Sequence, residues 1–472
     1  MASTKQVEEG ESSPDSPSSR VPLHKTRWDR MWPVIACGAG LLSDGYLNNA
    51  IGYTNTILGR LYPKEYKNSS ASSNVSSIAF AGTVVGQLSF GYFSDHYSRK
   101  WSLMASTVIL IVFAALCAGS YGAGGSLEGL FAALTAWRFF LGIGIGGEYP
   151  AGSVACAESA QEVSVGKRNR TFIIFTNVQI DIGFVLAAIV ATVLAVIFGE
   201  DHMRATWRTA LGLGVIPPLS LFYLRLKLQE PEEYKKETMR DTKTPWILVI
   251  NFSIYSSAII ETILGDSAPL WKSFAWSILI NAFLLPGCIG GAYLSDFLGP
   301  RDALAYGVLA QGIVGFIMAG AYAQLATPAH IAGFVVIYGI FTALGELGPG
   351  DNIGLVAAKT SATSVRGKTY GIAAAIGKCG AFAGSYCFPI IQKRAPTETR
   401  SGQDPFFVAS SLCVLSAVLA KFCLPYLSQE AVTEEDHNFR VYLLENGYDT
   451  SKMGLRDAQV RGEDKEEHGS NI

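Results

Sequence analysis

Apolar residues occupy most of the chain in long runs, separated by short polar stretches. A hydrocarbon core of roughly 30 Å takes about 20 apolar residues to cross as a helix. Runs of that order lie over 32–58, 75–95, 101–122, 130–157, 171–198, 207–227, 246–264, 271–295, 303–325, 330–357, 369–392 and 405–427. The pattern predicts an all-α membrane protein with about twelve spans. Its weakest member is 246–264, which is short and carries Asn251 and Glu261.

The polar stretches decide the count. Short loops rich in Lys and Arg lie on the cytoplasmic side of a membrane. Here Arg99 and Lys100, then Lys167, Arg168 and Arg170, then the stretch from Arg225 to Lys243, then Arg301, then Lys359, Arg366 and Lys368 fall in alternate loops. They share one side only if 246–264 crosses, so both termini are expected in the cytoplasm. Residues 1–30 have no apolar core, so the first span rather than a cleavable signal is expected to direct insertion. Two glycosylation sequons, at Asn68 and Asn74, follow the first span on the expected outer side.

The chain also repeats itself. The segment GYFSDHYSRK at 91–100 follows the second span, and GAYLSDFLGPR at 291–301 follows the eighth, which puts Asp95 and Asp296 201 residues apart. Glu148 and Glu346, and Arg170 and Lys368, are each 198 apart. Half-and-half repeats with a substrate site near the midplane are a transporter architecture. The expected organisation is a polar tail over 1–30, a six-helix half over 31–227, a charged linker over 228–245, a second half over 246–427 and a polar tail over 428–472.

Composition narrows the class further. The 472 residues are 49% hydrophobic and only 16% charged, with a mean hydropathy of +0.27, whereas an ordinary soluble protein carries about a quarter charged residues. That excludes a soluble enzyme, a disordered chain and a secreted disulfide scaffold. A net charge of -2 leaves no electrostatic footprint for nucleic acid. The eight cysteines lie in apolar runs without a CxxC pair and read as packing residues. No Ser/His/Asp arrangement, HExxH or Walker motif is present, so neither an enzyme, a cofactor, a metal nor an ATP-driven pump is expected.

Ionisable side chains at mid-bilayer depth are costly and usually line a water-filled path or pair with one another. Asp44, Glu148, Asp351 and Lys378 fall at similar depth in their spans, Asp44 about 18 Å in at the helical rise. Lys378 is the candidate for an anionic substrate group, with Gln179, Asn177 or Tyr149 adding hydrogen bonds. The alternative is a structural ion pair of Lys378 with Asp351. Asp44 or Glu148 is the candidate proton carrier, and the sequence does not rank them. Arg138, in the outer half of its helix, either snorkels outward or pairs with a carboxylate in a coupling role. The glycines of GIGIGGEYP at 142–150 suit close helix packing, and Pro150 a kink. Asp95, Arg99 and Lys100, with Asp296 and Arg301, form a candidate cytoplasmic gate in which charge-assisted hydrogen bonds lock the halves together.

These motifs carry a resemblance. GxxxDxxxRK at 91–100, with Ser98 where a glycine is usual, resembles the signature of the major facilitator superfamily. RFFLG at 138–142 is similar to its proton-linked motif, and EPEEY at 230–234 to the ending of its sixth helix. GIGGEYP at 144–150 and AAAIGKCGA at 373–381 resemble the phosphate:proton symporters. SDGYLNN at 43–49 and GDNIG at 350–354 are closer to the fungal glycerophosphoinositol permeases. Two departures, Leu47 for an aspartate and Lys359 for a glutamate, favour glycerophosphodiesters over inorganic phosphate. The resemblance implies a plasma-membrane symporter in which Lys378 and Gln179 contact phosphate and Asp44 and Glu148 couple protons. Its partners would be a small anionic phosphate ester, protons and the lipid bilayer, and the protein would be a monomer. The resemblance also implies a seventh helix shortened by some 25–30 residues, since Pro245 runs almost directly into Ile254-Tyr255-Ser256-Ser257. The alternatives are an inorganic phosphate symporter, or a transport-deficient membrane sensor or truncated product.

Overall fold

The computed structural model describes residues 27–67, 69–239, 270–325 and 330–454. Asn68 and the expected seventh span lie outside the described residues. The first half runs through α1 (Arg27–Gly38), α2 (Leu41–Leu61), α3 (Ser70–His96), α4 (Arg99–Ala118), α5 (Leu127–Glu148), α6 (Val154–Ser159), α7 (Arg168–Phe175), α8 (Asn177–Phe198), α9 (Met203–Leu213) and α10 (Ile216–Leu226). The short α11 (Glu232–Glu237) lies in the linker. The second half holds α12 (Leu270–Ala282), α13 (Leu284–Leu298), α14 (Pro300–Gly320), α15 (Tyr322–Leu325), α16 (Ile331–Gly345), α17 (Asp351–Lys359), α18 (Arg366–Arg394) and α19 (Glu398–Cys423), and α20 (Ala431–Glu445) follows it.

Eight helical segments among the described residues are long and apolar enough to cross a membrane. Three more are long enough but more polar: α1 with α2, then α3, then α18. Two of these carry Asp44 and Lys378, so their polarity marks the faces turned to the interior. The bundle is a helical membrane fold in two halves, as the apolar pattern predicts. Large side chains such as Ile197, Phe297 and Phe422 stay exposed on its outside, which suits contact with lipid rather than water.

Two helices change register at related points. Tyr149–Ser153 forms a π turn between α5 and α6, and Glu346–Gly350 forms one between α16 and α17. Each contains a proline, Pro150 and Pro349, which cannot donate to the α ladder. The kink expected at Pro150 is this π turn, and its repeat at Glu346 gives the halves matching π-bulged helices.

Close approach of α3 to α5 depends on glycine. A Cβ on Gly82 would stand 2.0 Å from the Phe139 carbonyl, and one on Gly142 2.3 Å from that of Ala79. The same device brings α3 against α18 across the halves, where a Cβ on Gly371 would meet the Gln87 carbonyl at 2.4 Å. The glycine run at 142–147 is thus a packing surface. Asn74 lies exposed near the start of α3.

Candidate transport site and gate

Asp44 projects from α2 into the interior, 1% exposed. Its Oδ2 accepts from the Tyr149 hydroxyl at 2.5 Å, and its Oδ1 accepts from Asn48 one turn on. Lys378, on α18 of the other half, sets its ammonium 5.2 Å from the Tyr149 ring centre and 6.0 Å from that of Phe80. It also acts electrostatically on Asp44. One tyrosine therefore joins a carboxylate of the first half to a lysine of the second.

Glu148 is fully buried and held on three sides. Arg225 Nη1 and Nη2 donate to its two oxygens at 2.7 Å each, and the Ser106 hydroxyl donates at 2.7 Å. Arg225 also reaches Thr107 Oγ1 at 2.6 Å and the carbonyl of Ala36. The two candidate proton carriers are thus unlike: Glu148 is tied to a permanent cation, and Asp44 faces a hydroxyl and an amide.

A second acidic group lies between the halves. Asp181 of α8, Cys288 of α13 and Glu346 of the second π turn bring ligand-type atoms within 4.8 Å of one another. Asp351 accepts from the Cys288 thiol at 2.6 Å, and Asn177 donates to the neighbouring Gly350 carbonyl. The alternative ion pair of Lys378 with Asp351 does not form: Asp351 faces Cys288 and Asn177, and Lys378 faces Tyr149. Gln179 is half-buried, its amide donating to the Ile174 carbonyl at 3.3 Å.

Arg138 is 2% exposed, and its Nε donates to the Val75 carbonyl at 3.4 Å. It does not snorkel and, among the described residues, meets no carboxylate; the titratable groups nearest in effect are the Cys117 thiol and the Tyr66 phenol. A cleft of about 670 Å³ lined by Glu65, Asn74, Phe131 and Phe139 contains none of the interior candidates and plays no part in the site.

At the basic end, the halves are joined by charge. Arg99 donates to Asp95 and, at 2.8 and 3.2 Å, to Glu158. It also crosses to the Thr363 carbonyl at 2.9 Å. Asp95 accepts from the backbone N–H groups of Gly367 and Lys368 at 2.8 Å each, which places an anion at the N-terminus of α18. Asp296 repeats the motif in reverse, accepting from the N–H of Arg170 near the start of α7 at 3.3 Å. Glu158 is shared with Arg366 at 3.2 Å, and Asp436 of α20 accepts from the N–H and hydroxyl of Thr363. Tyr234 of the linker lies under Arg99, 4.7 Å from its ring centre. Lys100 and Arg301 do not cross between the halves: Lys100 donates to Leu226 O at 3.0 Å, and Arg301 to Asp302 at 2.7 Å.

Sequence reasoning did not single out Arg225, Glu158, Asp181 or Asp436. Arg225 reads as one of the basic residues ending the sixth run, and only its position at the edge of an apolar stretch hints otherwise. Asp181 is the clearest lost signal, an acid ten residues into the apolar run at 171–198.

Two halves of membrane-crossing helices, with matching π bulges and buried charge between them, define a secondary transporter rather than an enzyme. The chain belongs to the family described as "Sugar (and other) transporter", which matches residues 32–243 and 248–439. The break in that match falls at the start of the expected seventh span. The chain is 49% identical over 452 residues to the "Major glycerophosphoinositol permease GIT3" of Candida albicans, covering 90% of this chain and 84% of the relative. It is 47% identical over 456 residues to the "Glycerophosphocholine permease GIT4" of the same organism, covering 91% and 85%. The "Glycerophosphoinositol transporter 1" of Saccharomyces cerevisiae is 32% identical, covering 95% of this chain and 89% of the relative. The fold is similar to that of the major facilitator superfamily proton:xylose symporter XylE bound to 6-bromo-6-deoxy-D-glucose, with a TM-score of 0.71 at 16% identity, over 87% of this chain and 98% of that one.

Proposed function

We propose that this transporter is a monomeric, proton-coupled importer of glycerophosphodiesters at the plasma membrane, with both termini in the cytoplasm. The observation that carries the reading is the line from Lys378 through Tyr149 to Asp44, which joins one cation and one carboxylate across the two halves. An anionic phosphodiester entering between the halves would meet the Lys378 ammonium, with Gln179, Asn177 and Asp351 lining its surroundings. Because phosphate draws Lys378 away from Asp44, substrate and proton affect one another through the same tyrosine. Glu148, fixed by Arg225, supports the fold around this line more directly than it carries protons. The halves 31–227 and 246–427 would rock about the linker 228–245, with Asp95, Arg99 and Asp296 closing the cytoplasmic side. The relatives named for glycerophosphoinositol and glycerophosphocholine support the substrate class. Lys359 stands where phosphate symporters carry a glutamate, and here it donates to the Ser428 and Gln429 carbonyls.

Uptake of radiolabelled glycerophosphoinositol and of phosphate, in a strain lacking both activities, tests the reading. Diester uptake that rises at acid pH is expected. Phosphate uptake alone, or uptake of neither despite surface expression, would sink it.

A further inference from the structure

Among the described residues the acidic group between the halves has no counter-ion, and it adjoins the proposed anion site. Oδ2 of Asp181 and Oδ2 of Asp351 have no hydrogen-bond partner, although the residues are only 1% and 0% exposed. The charged groups acting on Asp181 are Glu346 and Asp351, both of its own sign. Glu346 keeps part of its surface open and lies within electrostatic reach of Tyr149, the ring that faces Lys378.

Of the basic groups of the described interior, Arg225 is engaged with Glu148, Lys378 lies beside Asp44, and Arg138 lies against the Val75 carbonyl. The sequence from Thr244 to Trp271, which includes the expected seventh span, adds no Lys, Arg or His. Buried carboxylates that are ionised and without a partner are strongly disfavoured, so each either holds a proton or meets a positive charge that enters with the cargo. A metal ion suits the group poorly. The Cys288 thiol donates its proton to Asp351, whereas a metal-binding sulfur must be a thiolate.

We propose that Asp181, Glu346 and Asp351 form a cation subsite for the positively charged head group of a zwitterionic glycerophosphodiester whose phosphate lies at Lys378. This rests on the transport reading above and refines it. The cargo would be a choline or ethanolamine diester, bridging a lysine and an acidic pocket on either side of Tyr149. The orphaned carboxylate oxygens suit an ammonium with N–H groups as hydrogen-bond acceptors, and suit a quaternary ammonium through charge alone.

The test compares wild type with Asp181→Asn and Glu346→Gln in the uptake-null strain, supplied with glycerophosphocholine, glycerophosphoethanolamine or glycerophosphoinositol. Uptake of the two cationic diesters at low concentration should fall about tenfold or more, while that of the inositol diester changes by less than about twofold. Selective loss of one cationic diester identifies which head group the pocket holds. Equal loss of all three, as a proton-coupling or purely structural role would give, overturns the subsite. So does no loss at all. A second arm needs no transport: glycerophosphocholine should raise the melting temperature of the purified protein more than glycerol 3-phosphate does, and Asp181→Asn should remove the difference. Equal shifts in wild type overturn the subsite. An excess shift in a wild type that imports none of the diesters supports the subsite and sinks the transport reading instead.

Discussion

Glu148 and Arg225 meet in a two-pronged ion pair, 2.7 Å at each contact, with both side chains closed to solvent. The pair ties α5 to α10 immediately before the first π turn, where Tyr149 begins its reach towards Asp44. It is therefore a fixed point from which the proposed transport site is hung. Breaking such a pair leaves one buried charge alone, at a cost of about 3–5 kcal/mol. Arg225→Ala should lower the melting temperature of the detergent-purified protein sharply, whereas the uncharged double replacement Glu148→Gln with Arg225→Met should recover much of the loss. If the two lesions simply add in a double-mutant cycle, the pair is not a unit.

Lys378 has a different neighbourhood, an aromatic face and a half-open surface. Nothing in its packing requires the charge for folding. Lys378→Ala should leave expression and elution unchanged while raising the KM for diester uptake by about tenfold or more, the scale for losing a charged contact with the cargo. A normal KM would remove the anion assignment.

Asp44 is hydrogen-bonded to Tyr149 and Asn48 rather than to an arginine, so a proton can be gained there without breaking a direct ion pair. In Asp44→Asn that side chain stays uncharged at every pH. Uptake by wild type should be faster at acid than at neutral pH, and uptake by the variant should show no such preference. An acid-stimulated Asp44→Asn transporter would move proton coupling elsewhere in the molecule.

Much of this arrangement is legible from the chain, and the boundary is physical. Hydropathy reports depth, so the described spans and the candidate interior residues Asp44, Glu148, Asp351 and Lys378 emerge from it, while the repeat emerges from the recurring aspartate motif. It does not report which way a helix is turned. Arg225 therefore looks like a loop charge, and the pairing of Lys378 with Tyr149 rather than Asp351 is invisible in one dimension. The gate shows the same divide. The recurring aspartates Asp95 and Asp296 stand out as a repeat, but their partners are backbone N–H groups of Gly367, Lys368 and Arg170, which carry no side-chain signature. The polar segment after 427 gives no motif, yet Asp436 and Gln429 dock there on Thr363 and Asp296.

The glycine contacts between α3 and α5 make a sharp claim about volume. A Cβ at Gly86 would stand 2.2 Å from the Ile143 carbonyl, and one at Gly142 2.3 Å from that of Ala79, both backbone atoms that cannot swing aside. Gly86→Val or Gly142→Val should cost about 1–3 kcal/mol or more and reduce the folded yield. Gly212→Ala, whose new Cβ would be 3.7 Å from the Ala118 side chain, should be neutral. Size-exclusion profiles of fluorescent fusions would separate the two classes.

In the proposed gate Asp95 holds the most, because it serves Arg99 and two N–H groups at the start of α18 at once. Hydrogen bonds to a charged group are worth about 1.5–3 kcal/mol each, and Asp95→Asn weakens all three together. Arg99 keeps Glu158, so the fold should survive while the gate opens more often. Cys156, fully buried close to Tyr370, reports that opening. With the exposed Cys379, Cys387 and Cys423 replaced by serine, a polar maleimide added from the basic end should label Cys156 about tenfold faster or more in Asp95→Asn, as a shift above 1.4 kcal/mol would give. Arg301→Ala should label at the wild-type rate, since Arg301 bonds only within its own half. Equal labelling in Asp95→Asn and wild type would mean that the network between Glu158, Arg366 and Asp436 holds the gate without Asp95.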